Sequence, residues 1–162
     1  MSVAVFVLLL VTLQRLSELW IARRNTRWLL ERGGREAAPE HYPLIVAMHA
    51  AWLIGLWIFA HDNEVMPHWL GLFIMLQAVR VWILTTMGPR WTTRIIVLPN
   101  APLVDQGPFR WISHPNYCVV AAEILLLPLA FGLLWYGLVF SILNAIVLTI
   151  RIRAENEALA AS

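Results

Sequence analysis

Residues 119–150 read VVAAEILLLPLAFGLLWYGLVFSILNAIVLTI, an apolar run too long for one membrane helix and short for two full spans. Pro128, Gly132 and Gly137 interrupt it near the middle, and Pro and Gly at such a place favour a turn or a kink. The run predicts a helical hairpin, the chain reversing close to Ala130–Leu133.

Working outward, three more apolar blocks precede it: Val3–Ile21, Pro43–Ala60 and His68–Met87. Each is near the ~20 residues that a helix needs to cross ~30 Å of hydrocarbon. With the hairpin this gives about five transmembrane helices. Composition agrees, since 60% of the 162 residues are hydrophobic, 14% are charged and nine are Trp, with a mean hydropathy of +0.68. A soluble domain of this size has too little interior to hide so much apolar surface. The expectation is an all-α integral membrane protein of the prokaryotic inner-membrane type, one domain over residues 1–162. No basic residue precedes the first apolar block and no small-residue cleavage site follows before Trp20, so it reads as a retained span.

All twelve basic residues are Arg, and they stand where helix ends would stand. No basic run is long enough for nucleic acid. The connection Ala22–Tyr42 carries Arg23, Arg24, Arg27, Arg32 and Arg35, whereas His61–Pro67 carries none. By the positive-inside rule the first is cytoplasmic and the second external. Two further crossings put Gly88–Tyr117, with Arg90, Arg94 and Arg110, on the cytoplasmic side, and the hairpin returns Arg151 and Arg153 there. The orientation is N-terminus outside, C-terminus cytoplasmic. Within Gly88–Tyr117 the β-branched stretch Thr92–Val97 predicts a strand, residues 99–102 a turn, and Leu103–Asp105 a returning strand.

A single cysteine, Cys118, excludes an internal disulfide and a Cys-based metal cluster, and no metal is expected. Ionisable groups inside spans are costly and therefore functional candidates: His49, Arg80 and Glu123, with Gln77 and Asn144 as polar companions. Arg80 also reads as a structural pair with a carboxylate or with carbonyls, and His49 as a helix-packing histidine. Glu123 follows Tyr117 by six residues and His114 by nine, which predicts one pocket at the cytoplasmic membrane surface. A cationic, adenine-bearing ligand would suit such a pocket, although spacing alone does not single that ligand out. Glu123 and Glu155 could face a sulfonium, Arg151 or Arg153 a carboxylate, and Tyr117 or Trp111 an adenine.

The segment Arg110-Trp111-Ile112-Ser113-His114-Pro115-Asn116-Tyr117, then Glu123, then Arg151-Ile152-Arg153-Ala154-Glu155-Asn156-Glu157, resembles the isoprenylcysteine carboxyl methyltransferase family. Arg23-Arg24-Asn25 and His41-Tyr42-Pro43 resemble its short prokaryotic branch, some of whose members methylate alkylpyrones. The resemblance implies a membrane-embedded S-adenosylmethionine pocket and a lipophilic acceptor that enters from the bilayer. It places His114, Pro115, Tyr117 and Glu123 at the cofactor, and Arg151, Glu155 and Asn156 at its rim and at the reacting centre. Two positions depart from the family pattern: Ser113 stands where Arg is common, and Asn156 stands for the second carboxylate of a Glu-Glu pair.

The implied reaction is methyl transfer to a carboxyl or hydroxyl oxygen. A carboxylate or acidic enol is already anionic and needs no strong base. A phenol needs one, for which Glu155, Glu157 and His114 are all candidates. Two other readings account for less of the chain. An NADPH-dependent membrane reductase related to sterol reductases would need a longer chain with groups for a 2′-phosphate. A non-catalytic helical scaffold, with Trp20, Trp28, Trp57, Trp69 and Trp135 as interface anchors, leaves the polar groups at His114–Glu123 without a purpose. The remaining tail reading, solvated i,i+4 pairs among Arg151, Arg153, Glu155 and Glu157, carries only a few tenths of a kcal/mol per pair.

Overall fold

Helix boundaries fall where the backbone can be terminated cheaply. Ser2 caps the first helix, its hydroxyl accepting from Val5 N–H at 3.2 Å, and Pro43, Pro67 and Pro115 stand in the opening turns of three others, where a missing N–H costs nothing. The computed structural model describes residues 2–99 and 101–160. In chain order these form α1 (Val3–Leu30), β1 (Arg35–Ala37), α2 (Tyr42–Ala60), α3 (Pro67–Met87), β2 (Ile95–Val97), α4 (Pro115–Ala130) and α5 (Leu134–Ala160). Helices α1, α2, α3 and α5 are long and apolar enough to cross a membrane, and α4 is apolar but shorter, at 16 residues.

The packing is that of a protein whose solvent is lipid. Large apolar side chains such as Leu13, Ile58, Met75 and Ile142 face outward, while Arg80, Glu123 and Asn144 are buried. The interior cluster takes Ala4, Val7, Leu8 and Val11 from α1, at helical spacing, with Trp52 and Leu56 of α2, Phe73 of α3 and Ile124 and Leu127 of α4. Helix α4 packs against both α3 and α5. The chain is an all-α integral membrane protein.

The turn between α4 and α5 occupies Phe131–Leu133. Gly132 adopts φ +72°, the left-handed region that favours glycine, and Leu133 N–H bonds Pro128 O at 2.9 Å while Gly132 N–H bonds Leu129 O at 3.0 Å. These two bonds make a Schellman end. Two groups from the α2–α3 connection cover neighbouring carbonyls of the same end: Asn63 Nδ2 donates to Phe131 O, and Met66 N–H to Ala130 O, each at 2.8 Å. Nearly every polar backbone group must find such a partner when water is absent.

Two sequence expectations are corrected. Helix α1 has 28 residues, about 42 Å at 1.5 Å per residue, so Arg23, Arg24 and Arg27 ride on a helical extension and not in a loop. The strand expected over Thr92–Val97 is present at Ile95–Val97, but its partner is Arg35–Ala37 in antiparallel register (Arg35 with Val97, Ala37 with Ile95) and not Leu103–Asp105. The cause is long-range anchoring. Asn25 Nδ2 donates to Trp91 O at 2.7 Å and to Gly88 O at 3.2 Å, the Thr26 and Thr92 hydroxyls meet at 2.7 Å, and Arg94 pairs with Glu36 at 2.5 Å. These bonds hold residues 88–94 along α1, beside the strand that follows it. The expected turn at 99–102 includes residue 100, which lies outside the described residues.

Candidate functional site

Because α4 and α5 form a hairpin, the first turn of α4 lies opposite the last turns of α5. Pro115 starts α4, and His114 is its N-cap residue. The His114 ring stacks on Tyr117 with centroids 5.3 Å apart and planes inclined by 20°. Tyr117 Oη donates to Glu155 Oε2 at 2.5 Å and accepts from Arg151 Nε at 2.8 Å. Arg151 and Glu155 are four residues apart on one helix face, so the phenol bridges a cation and a carboxylate held in register by α5. His114 Nδ1 approaches the same Glu155 oxygen at 3.7 Å. Four of the residues singled out in the sequence, His114, Tyr117, Arg151 and Glu155, are thereby gathered into one cluster.

Two cavities meet at this cluster. The larger, about 310 Å³, lies among α1, α2, α4 and α5 and is lined largely by apolar side chains such as Leu16, Leu19, Ile45, Leu53, Val120 and Leu148. The smaller, about 120 Å³, is the more polar of the two, with Arg90, Arg94, His114 and Glu155 in its lining. Trp91, Thr92, Asn116, Tyr117 and Arg151 line both. Asn116 Oδ1, in this shared wall, is buried and accepts no hydrogen bond among the described residues. The wall thus offers a cation, a phenol and a carbonyl acceptor between a polar chamber and an apolar one.

Residues at the front of the chain contribute too. Tyr42 lines the larger cavity, bonds Thr93 at 3.3 Å, and lies beneath the Arg94 guanidinium, whose carbon is 4.2 Å from the ring centroid. Other sequence candidates stand apart. Asn156, Glu157 and Arg153 are exposed, and Trp111 is 72% exposed beside Trp82.

Glu123 is placed differently from the sequence expectation. It is fully buried and, among the described residues, lines neither cavity. Arg80 grips it in a bidentate pair, with Nε on Oε1 at 2.7 Å and Nη2 on Oε2. Arg15 Nη2 reaches Oε2 at 2.7 Å, and Gln77 donates to Oε1 at 2.8 Å. Glu18 closes the network, taking Arg15 at 2.9 Å and Arg80 at 3.2 Å. Two guanidinium groups and two carboxylates cancel, which is the condition for holding ions inside a bilayer. The network staples α1, α3 and α4 together next to the larger cavity, which Arg15, Glu18 and Arg80 also line. Reading the sequence missed Arg15 and Glu18, although two opposite charges one turn apart inside an apolar block were a signal for this pairing.

The cluster of His114, Tyr117, Arg151 and Glu155 lies in the part of the chain that matches a named family. Residues 69–161 match the profile of the isoprenylcysteine carboxyl methyltransferase family. The chain is 38% identical over 155 residues to YpbQ, an uncharacterized protein of Bacillus subtilis strain 168, covering 93% of this chain and 92% of that one. It is 23% identical over 151 residues to an uncharacterized protein of Haemophilus influenzae, covering 90% of this chain and 88% of that one. No solved structure matches it. With the matched region holding α4, α5 and every residue of the cluster, the chain belongs to the isoprenylcysteine carboxyl methyltransferase family, a family of membrane methyltransferases.

Proposed function

We propose that the protein transfers a methyl group from S-adenosylmethionine to a carboxyl or hydroxyl oxygen of a lipophilic acceptor, isoprenylcysteine-like or alkylpyrone-like, at the cytoplasmic face of the prokaryotic inner membrane. The observation that carries this reading is the wall of Tyr117, Arg151 and Asn116 shared by a polar chamber and an apolar one. Membership of a methyltransferase family supports it.

The residues fit such a cofactor. Arg90 and Arg94 would take its carboxylate in the polar chamber, the stacked His114–Tyr117 pair offers an aromatic face, and Pro115 sets the backbone that presents them. Glu155 and the unsatisfied Asn116 Oδ1 supply oxygen atoms for a cationic centre. Bound there, the cofactor supplies an electrophilic methyl group on a sulfonium.

The chain's own contribution is alignment and exclusion of water. Arg151 is anchored through Nε to Tyr117, which leaves its remaining N–H groups to hold an anionic acceptor oxygen in line with the methyl group. Glu155 fixes the phenol by accepting its proton in a hydrogen bond. An acceptor that arrives ionised needs no base, so the exposed Asn156, standing where the family has a second carboxylate, is compatible with turnover. Glu123 is read as a buttress for the helices around the acceptor's chamber. The Arg-rich connections orient the N-terminus outward and the C-terminus toward the cytoplasm.

Isothermal titration of the detergent-solubilised protein with S-adenosylhomocysteine and, separately, with NADPH tests the cofactor assignment. Binding of the first and not the second is expected. Binding of NADPH alone would make the protein a reductase, and binding of neither would remove the catalytic reading.

A further inference from the structure

At the wall of the larger cavity Arg15 has one strong donor left over. Both terminal nitrogens of Arg15 are engaged by Glu18 and Glu123, but its buried Nε has no hydrogen-bond partner among the described residues. An unpaired guanidinium N–H in an apolar setting is costly. Arg15 lines the cavity, and so does His49. The His49 Nδ1 lies 2.9 Å from the carbonyl of Ile45. A carbonyl only accepts, so Nδ1 carries the proton, and Nε2 of the neutral ring is left as an acceptor. Two residues of one largely apolar wall thus carry a donor and an acceptor that are unpaired among the described residues.

The depth of this pair follows from the helices that bear it. His49 lies seven residues past Tyr42 along α2, and Glu123, to which Arg15 is bonded, lies six past Tyr117 along α4. At 1.5 Å per residue both are about 10 Å farther into the membrane than the Tyr42 and Tyr117 end of the cavity. The charges nearby already cancel, Arg15 and Arg80 against Glu18 and Glu123. A further ion there would be uncompensated, so the matching ligand group is neutral.

We infer that Arg15 Nε and His49 Nε2 form a second polar subsite, which receives a hydroxyl carried within the apolar chain of the acceptor, about 10 Å from the atom that is methylated. A hydroxyl accepts from Arg15 and donates to His49 at once, which neither a methylene nor a charged group does. The subsite rests on reading the larger cavity as the acceptor's chamber, and it adds a selectivity that the reacting end alone does not supply.

The probes are ricinoleic acid, with a mid-chain hydroxyl, and oleic acid, the same chain without it. Binding to the detergent-solubilised protein is counted by native mass spectrometry, with S-adenosylhomocysteine binding measured alongside. Wild type is expected to bind ricinoleate about tenfold more tightly than oleate. His49→Phe, which keeps the ring volume, and Arg15→Lys, which keeps the charge beside Glu18 and Glu123 but loses Nε–H, are each expected to bring the two acids to within about twofold. Equal binding of the two acids by wild type, or binding of neither, overturns the subsite, and a preference that survives in His49→Phe does so as well. Loss of S-adenosylhomocysteine binding by wild type with the ricinoleate preference intact would remove the methyltransferase reading and leave a hydroxy-lipid site.

Discussion

The indole N–H of Trp52 on α2 donates to the carbonyl of Ile124 on α4 at 3.3 Å. That carbonyl is four residues before Pro128, the one position whose missing N–H leaves it without a helical partner. A proline inside a membrane helix is tolerable when another helix supplies the lost donor. Trp52→Phe should therefore cost about 1–3 kcal/mol of stability by orphaning the carbonyl. Pro128→Ala, which restores the helical donor, should remove most of that cost in the double variant. Thermal unfolding in detergent across the four proteins checks this, and an undiminished Trp52→Phe penalty in the Pro128→Ala background would refute the link.

Arg151→Lys should lower methyl transfer to a membrane lipid extract about tenfold or more with the unfolding temperature little changed, because lysine keeps the charge but loses the planar fork that holds Tyr117 and an acceptor oxygen together. Arg153→Lys, at an exposed position, should be indistinguishable from wild type. If the two rates responded in the opposite order, the role would belong to the neighbouring arginine.

Glu123→Gln should behave as a folding lesion more than as a loss of cofactor affinity. The carboxylate is fully buried between Arg80 and Arg15, and removing one partner of a buried pair costs about 3–5 kcal/mol. Replacing Arg80 and Glu123 together with Leu should recover part of the loss, though Arg15 keeps only Glu18. Should the folded fraction of Glu123→Gln lose S-adenosylhomocysteine binding while unfolding normally, the glutamate would return to the cofactor site.

The orientation can be checked in a Cys118→Ser background with an impermeant thiol reagent. Asp62→Cys should react in intact cells or spheroplasts and Arg32→Cys only after the membrane is opened. The reverse pattern would invert every helix.

What the sequence revealed depended on how local the cause was. Pro128 and Gly132 mark the hairpin because each acts on its own backbone, and the pairing of His114–Tyr117 with Arg151–Glu155 follows once the chain doubles back there. The partner of Ile95–Val97 was illegible because Asn25, sixty-odd residues away in sequence, selects it through Trp91 and Gly88. Arg15 and Glu18 are hard to single out because length and hydropathy mark the first apolar block as a span, and two opposite charges one turn apart hardly disturb either. The burial of Glu123 is likewise hidden: spacing from Tyr117 fixes its height along α4 but not the face it turns toward Arg80.

The distribution of the buried charges also bears on how the chain enters the bilayer. Helix α1 carries Arg15 together with Glu18 and so arrives with its own counter-ion. Arg80 and Glu123 are divided between α3 and α4, and an unpaired arginine or acid at the centre of a spanning segment costs about 2.5–3.5 kcal/mol to insert. Helices α1 and α3 together set Arg15 and Arg80 against Glu18 alone, so one positive charge stays uncompensated until α4 brings Glu123. Assembly therefore has an order: the last hairpin is the step that neutralises the charge the third helix adds, and a chain that stalled before residue 123 would keep one uncompensated arginine within the bilayer.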